Sequence, residues 1–96
     1  MAAYLMVHIL EISDPAQYEI YRAHVRPLIG RFGGKPIVIG GAVDVYEGDV
    51  EPGTMTVFEF PSMQAIHDFW SSPDYVPVKA MRQGAAKLKI WAVPGV

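Results

Sequence analysis

The chain has 96 residues and a net charge of −2, from eight basic and ten acidic side chains. This length suits a single domain, which we assign to residues 1–96. The absence of a basic patch argues against a nucleic-acid partner, and the absence of cysteine excludes disulfides, iron–sulfur clusters and thiol catalysis. The apolar runs are too short for a membrane span, and the first residues lack the basic segment of a signal peptide. We therefore expect no membrane partner and a cytoplasmic location.

The first third of the chain predicts a strand followed by a helix. Residues 4–12 are almost continuously apolar and rich in β-branched side chains, which is typical of a strand covered on both faces. Asp14 then offers a side-chain cap, and Pro15 suits the first turn of a helix. This helix carries an apolar stripe of 3.6-residue period and ends at the glycine pair of residues 33–34. Pro27 lies inside it and should bend it.

The middle of the chain predicts a β-hairpin. Residues 36–47 are typical of a second strand, in which the glycines at 40–41 favour a bulge or a close backbone approach. Residues 48–53 form the turn, and residues 54–60 alternate as a third strand. Because the connection is short, these two strands should pair in antiparallel fashion.

The last third predicts two helical segments and a final strand. Ser62 is placed to cap a helix whose apolar face includes Trp70, and the Ser-Ser-Pro sequence at residues 71–73 ends this helix. A further helical segment runs from about residue 74 to residue 86. Residues 87–93 then form the fourth strand.

This order of elements predicts an α+β, ferredoxin-like fold, β-α-β-β-α-β, with a four-stranded antiparallel sheet and helices on one face. Apolar residues make up 51% of the chain and charged residues only 19%, which is more apolar surface than a small domain buries alone. We expect the free face of the sheet to pack on a second copy of the chain. The predicted partner is therefore a homodimer, with a tetramer as an open alternative.

The residues that carry a family resemblance are spread over nearly the whole chain. The most specific ones are Tyr18, Gly33, Gly34, Glu47, Gly48, Glu59, Phe60, Pro61, Ser62, Trp70, Ser72, Pro73, Tyr75 and Arg82. With this set the chain resembles a small bacterial family of unassigned function, domain-of-unknown-function family 1330, in the dimeric α/β-barrel superfamily. The resemblance implies a ferredoxin-like subunit whose sheet pairs face to face with that of its twin, and it implies no settled activity.

Three polar residues are the candidates for catalysis: Glu59, His67 and Arg82. Arg82 shares a predicted apolar helix face with Tyr75, and a guanidinium there needs a partner. That partner is either a carboxylate or enolate of a ligand, or the carboxylate of Glu59 or Glu47. Glu59 lies on a sheet face, where it acts as a base, pairs with an arginine or points to the rim at the strand end. His67 lies near the apolar stripe of the second predicted helix, as a proton shuttle or as an ordinary surface residue.

Aromatic side chains are the candidates for ligand binding. Tyr18, Trp70 and Tyr75 would line a pocket for a planar ligand, although core packing explains the aromatic residues equally well and is the better explanation for Tyr18 and Trp70. The His, Asp and Glu residues lack the spacing of a metal site, and the glycines do not form a phosphate loop. We therefore predict neither a metal nor another cofactor.

Two functions are compatible with these patterns. In the first, the domain binds or transforms a small apolar, aromatic or acidic metabolite in a cleft between helices and sheet, without a cofactor. In the second, it is a non-catalytic dimeric interaction module in which Arg82 and Glu59 form a structural ion pair. A third option, haem bound through His67, has only superfamily analogy behind it.

Overall fold

The computed structural model describes residues 1–96. It is a four-stranded antiparallel sheet with helices on one face. The strands are β1 (Ala3–Ile12), β2 (Lys35–Ala42), β3 (Thr54–Phe60) and β4 (Ala86–Pro94), and the helices are α1 (Pro15–Arg31), α2 (Met63–Trp70) and α3 (Tyr75–Ala80). The order of strands across the sheet is β2-β3-β1-β4, and every neighbouring pair is antiparallel. The predicted ferredoxin-like α+β fold is confirmed.

Local chemistry sets both ends of α1. At its start the Asp14 side chain accepts a hydrogen bond of 3.1 Å from the backbone N–H of Gln17. At its end Gly33 has a φ of +86°, which terminates the helix at the predicted position. A Cβ atom at Gly34 would lie 2.5 Å from Cγ2 of Ile29, so only glycine lets β2 begin this close to the core.

Two boundaries differ from the predicted ones. β2 ends at Ala42 rather than at residue 47, because its pairing with β3 does not continue, and residues 43–53 form an irregular connection. The helical segment expected over residues 74–86 is restricted to α3, since the chain turns at Gly84, where φ is +78°, and enters β4. The helix α1 runs through Pro27 as one element. None of the helices combines the length and apolarity that crossing a bilayer requires.

The alternation of side chains divides the sheet into two faces. One face lies under the helices and forms the core with them, and we call the opposite one the far face. The core residues of the strands are Ala3, Leu5, Val7, Phe58 and Phe60, with Leu88, Ile90 and Ala92 partly buried beside them. The far face carries Tyr4, Met6, His8, Val38, Met55, Val57, Glu59, Trp91 and Val93. No helix covers the far face, and its edge residues Val38, Trp91 and Val93 are exposed.

Candidate functional site

The more enclosed of two cavities, which we call the main cavity, lies between α1 and the helix-covered face of the sheet, and its volume is about 170 Å³. Its floor is apolar and consists of Leu5, Val7, Ile9, Phe58, Leu88 and Ile90. An engineered apolar cavity of about 150 Å³ in another protein binds benzene. The main cavity is therefore large enough for a molecule with one aromatic ring.

A bulge in β2 shapes one side of the main cavity. The register of β2 against β3 shifts between Val38 and Gly41, as the glycine pair predicted. Gly40, which lines the cavity, has a φ of +59° and donates its backbone N–H to the hydroxyl of Thr56 at 3.2 Å. The oxygen of this hydroxyl is thus used as an acceptor, and its hydrogen remains available at the cavity wall.

Three buried tyrosines line the main cavity. Tyr18 and Tyr21 come from α1, and Tyr75 is the first residue of α3. The hydroxyl oxygens of Tyr21 and Tyr75 lie 3.1 Å apart and share one hydrogen bond. Burial raises the pKa of Tyr18 and that of Tyr21, and at Tyr21 the contact with Tyr75 raises the pKa further. Both hydroxyls therefore stay protonated at neutral pH and act as hydrogen-bond donors in a mostly apolar space.

Two arginines of α1 line the same cavity. Arg22 and Arg26 follow Tyr18 at intervals of four residues, which places the three on one side of the helix. Arg22 pairs with Glu19 at 2.7 Å, whereas Arg26 forms no ion pair and its guanidinium carbon lies 5.9 Å from the centre of the Phe58 ring. Both arginines were missed from the sequence, although their spacing from Tyr18 is a signal that could have found them. The cavity wall contains no carboxylate and no histidine, so its polar groups are cations and hydroxyls.

Arg82 lies behind the tyrosine pair and does not line the main cavity. Its guanidinium carbon is 5.7 Å from the centre of the Tyr21 ring, and its Nε is buried without a hydrogen-bond partner. Burial acts to lower the pKa of Arg82, but its interactions with Tyr21 and Tyr75 outweigh this and raise the pKa above the ordinary value. Within the chain no carboxylate pairs with this guanidinium, so the alternative of an ion pair between Arg82 and Glu59 or Glu47 of the same subunit is wrong.

Glu59 and His67 lie outside the main cavity. Glu59 is on the far face, where its carboxylate lies 3.3 Å from Nζ of Lys35. The sheet thus separates it from Arg82, which lies on the helix side. His67 is exposed on α2 and borders a second cavity of about 340 Å³ between α2 and β4. The three residues predicted for catalysis are therefore not brought together, and no group of three or more metal-ligating side chains forms anywhere in the chain.

The three aromatic residues predicted for ligand binding all line the main cavity. Tyr18 and Tyr75 are buried, whereas Trp70 is 36% exposed and also borders the second cavity. The core position that the helical pattern assigned to Trp70 belongs to Phe69, which is 1% exposed. Nζ of Lys79 lies 4.5 Å from the centre of the Trp70 ring. Trp70 therefore lies between the two cavities, and the ammonium group of Lys79 lies beside its ring.

Comparison with protein families shows to which family the chain is related. The family model described as "Domain of unknown function (DUF1330)" matches residues 2–96. The chain belongs to the DUF1330 family. The resemblance found from the sequence is thereby confirmed. None of the curated proteins matches this DUF1330 chain.

Solved structures share the fold of this DUF1330 domain at low sequence identity. A protein of unknown function from Rhodopseudomonas palustris is 19% identical with a TM-score of 0.73, and the match covers 99% of this chain and 82% of that one. A dimeric ferredoxin-like protein of unknown function from Jannaschia sp. CCS1 is 11% identical with a TM-score of 0.67, over 99% and 100% of the two chains. SnoaB, a cofactor-independent oxygenase from Streptomyces nogalater, is 12% identical with a TM-score of 0.62, over 99% and 92%. At these identities the likeness establishes the fold alone.

Proposed function

We propose that this domain binds a small planar acid with one aromatic ring in the main cavity, and that any reaction there proceeds without a cofactor. The observation that carries the proposal is the composition of the cavity wall. An apolar space of one-ring size is lined by guanidinium groups and hydroxyl donors and by no acidic group. Such a wall favours a ligand with an apolar body and negatively charged or oxygen-rich ends.

Arg26 is the group that we assign to the carboxylate of the ligand. It is half-buried, it forms no ion pair within the chain, and its guanidinium lies over Phe58 beside the cavity. A guanidinium offers a planar fork of donors that matches the two oxygens of a carboxylate. Arg22 is the weaker anchor, because Glu19 already neutralises it.

Tyr18, Trp70 and Tyr75 are the groups that we assign to the ring of the ligand. The ring centres of Trp70 and Tyr75 lie 5.4 Å apart at an angle of 54°, so their faces and edges form an angled aromatic wall. Aromatic pairs favour tilted and edge-to-face contacts of this kind, and a planar ligand packs against such a wall in the same way.

Cofactor-free chemistry in this fold has one precedent by analogy, since SnoaB is a cofactor-independent oxygenase of the same architecture. The main cavity contains no carboxylate or imidazole that could remove a proton. Glu59 and His67 therefore have no direct part in the proposal. A reaction in the cavity would depend on stabilisation of negative charge by tyrosine hydroxyls and arginines.

The assembly that we propose is a homodimer formed through the far face. Trp91 and Val93 on β4 are 44% and 43% exposed, and Val38 on β2 is 39% exposed. Apolar side chains on an uncovered sheet face favour pairing with another copy. The structurally similar protein from Jannaschia is dimeric, which supports the dimeric state. A non-catalytic dimeric module is the alternative function, but it leaves the donor-lined cavity without a use.

Titration calorimetry with benzoate and benzamide tests the proposal. Benzoate should bind about tenfold or more tightly than benzamide, which has the same shape without the charge, as expected for a hydrogen bond between charged groups. Arg26→Gln should reduce the affinity for benzoate to that for benzamide. The matched control is Arg31→Gln, which removes an exposed arginine of the same helix that pairs with Asp74 and should leave the affinity unchanged. No binding of benzoate, or an equal loss in both variants, would refute the proposal.

A further inference from the structure

The hydroxyl pair of Tyr21 and Tyr75 carries one more hydrogen than the protein accepts. Each phenol has one O–H hydrogen, and the two groups share a single hydrogen bond of 3.1 Å, with no further acceptor for the second hydrogen. The hydrogen of the accepting hydroxyl is therefore left over. Both residues are more than nine-tenths buried, at 6% and 2% exposure. A buried donor without an acceptor is unfavourable, and an acceptor atom on a ligand would remove this cost.

Arg82 determines where the left-over hydrogen points. Its guanidinium lies against Tyr21 and does not line the main cavity, and a guanidinium has donors but no acceptor. The phenol hydrogens therefore cannot be directed at Arg82, which faces the phenol oxygens. Both tyrosines line the main cavity, which is the empty space beside them where a ligand acceptor fits.

We infer that the Tyr21–Tyr75 hydroxyl pair binds a ligand oxygen that accepts hydrogen bonds and carries no hydrogen of its own, such as a carbonyl, enolate or phenolate oxygen. This inference rests on the proposed function, because it requires a ligand in the main cavity. A role limited to joining α1 to α3 accounts for the shared hydrogen bond but not for the second hydrogen.

The inference narrows the class of ligand. Arg26 contacts Phe58 on β3, whereas Tyr75 packs on Phe69 and Trp70 of α2, so the two polar groups belong to different walls of the cavity. A ligand that uses both walls is a planar acid with a second oxygen away from its carboxylate, in the oxo, enolate or phenolate form. The charge of Arg82 behind the pair favours the form in which this oxygen is negative.

Two neutral probes of equal shape separate this inference from the proposed function. Acetophenone and α-methylstyrene differ only in a C=O group against a C=CH₂ group, and neither carries a charge for Arg26. In NMR titrations the native protein should bind acetophenone about fivefold to tenfold more tightly, as expected for one added hydrogen bond. Equal affinities, or no binding of acetophenone, overturn the inference, while benzoate still decides the proposed function independently.

Variants and infrared spectra locate the hydrogen bond. The double variant Tyr21→Phe/Tyr75→Phe should lose the preference for acetophenone, and each single variant should keep most of it, because the remaining hydroxyl still has a free hydrogen. Tyr46→Phe, at a position that is 95% exposed and outside the main cavity, should keep it fully, and loss of the preference in this control overturns the assignment. The carbonyl stretch of bound acetophenone should lie at lower frequency in the native protein than in hexane. An unshifted stretch overturns the inference even if the double variant does not fold.

Discussion

The hydroxyl oxygens of Tyr21 and Tyr75 lie 3.1 Å apart although 54 residues separate them in the sequence, and this contact joins α1 to α3. The helix α3 has only six residues, too few to be stable alone. The ring of Tyr75 also lies 4.6 Å from the centre of the Phe69 ring, which ties α3 to α2. One residue therefore positions a short helix, closes the core and borders the main cavity.

High pH should destabilise the fold through the buried tyrosines. Burial raises the pKa of Tyr18 and Tyr21 above that of an exposed tyrosine, which is about 10. Above this pH the unfolded chain loses protons that the folded chain keeps. The contribution of these tyrosines to the free energy of unfolding is therefore complete below about pH 10 and is lost as the pH rises beyond it. Urea denaturation at about pH 9 and about pH 11 should show this fall, and Tyr21→Phe should show a smaller one. An equal fall in the free energy of unfolding of the native protein and of this variant would argue against a contribution of Tyr21.

Loss of Arg82 should cost less stability than loss of one partner of a buried ion pair. Because no carboxylate is left unpaired, Arg82→Met should lower the free energy of unfolding by only about 1–2 kcal/mol, from lost interactions with the tyrosine pair. The exposed pair of Arg31 and Asp74 supplies the control, since Arg31→Met should cost about 0–1 kcal/mol. Urea denaturation measures both. A cost of about 3–5 kcal/mol at Arg82 would instead indicate a buried carboxylate partner.

A larger side chain at Val25 should block the main cavity without unfolding the protein. Val25 is 5% exposed and lines the cavity from α1, so the added ring of Val25→Phe would occupy part of the empty volume. Filling a cavity commonly preserves or raises stability, here by up to about 1 kcal/mol, whereas benzoate binding should disappear. Val76→Phe, at a position on α3 that is 67% exposed, is the matched control and should bind benzoate normally. Full benzoate affinity in Val25→Phe would show that the ligand binds elsewhere.

A charge on the far face should separate the subunits. Trp91 lies on this face and is 44% exposed, so Trp91→Glu would place a carboxylate in the proposed sheet-to-sheet contact. Sedimentation equilibrium should give the mass of a dimer for the native protein and of a monomer for the variant. Ile20→Glu, at a position on α1 that is 48% exposed, should remain dimeric. A native protein that sediments as a monomer at micromolar concentration rules out the proposed assembly.

The elements that could be predicted from the sequence are those that depend on local chemistry. The cap at Asp14, the stop at Gly33 and the bulge at Gly40 each follow from the conformational properties of a single residue. The error at the end of β2 has the opposite origin. Residues 43–47 have suitable composition for a strand, but pairing with β3 decides whether they form one, and that pairing is tertiary.

The candidate site was only partly predictable, because its residues come from separate elements. The alternation of β3 correctly put Glu59 on the face opposite Phe58, but its partner Lys35 depends on the register of β2. Arg26 falls outside the apolar stripe of α1; its spacing from Tyr18 indicates the same side of the helix, but its contact with Phe58 requires the packing of α1 on β3. The contact of Arg82 with Tyr21 likewise requires the packing of α3 against α1.

Binding of an aromatic acid in the main cavity is the claim on which the functional account depends, and intermolecular NOE measurements with benzoate test it most directly. The ring protons of benzoate should give NOEs to the methyl groups of Val25, Leu88 and Ile90, which line the cavity from α1 and from the sheet. The backbone resonance of Arg26 should shift in the same titration. NOEs confined to far-face residues such as Met6 or Val93, or no NOEs at saturating benzoate, would contradict the account.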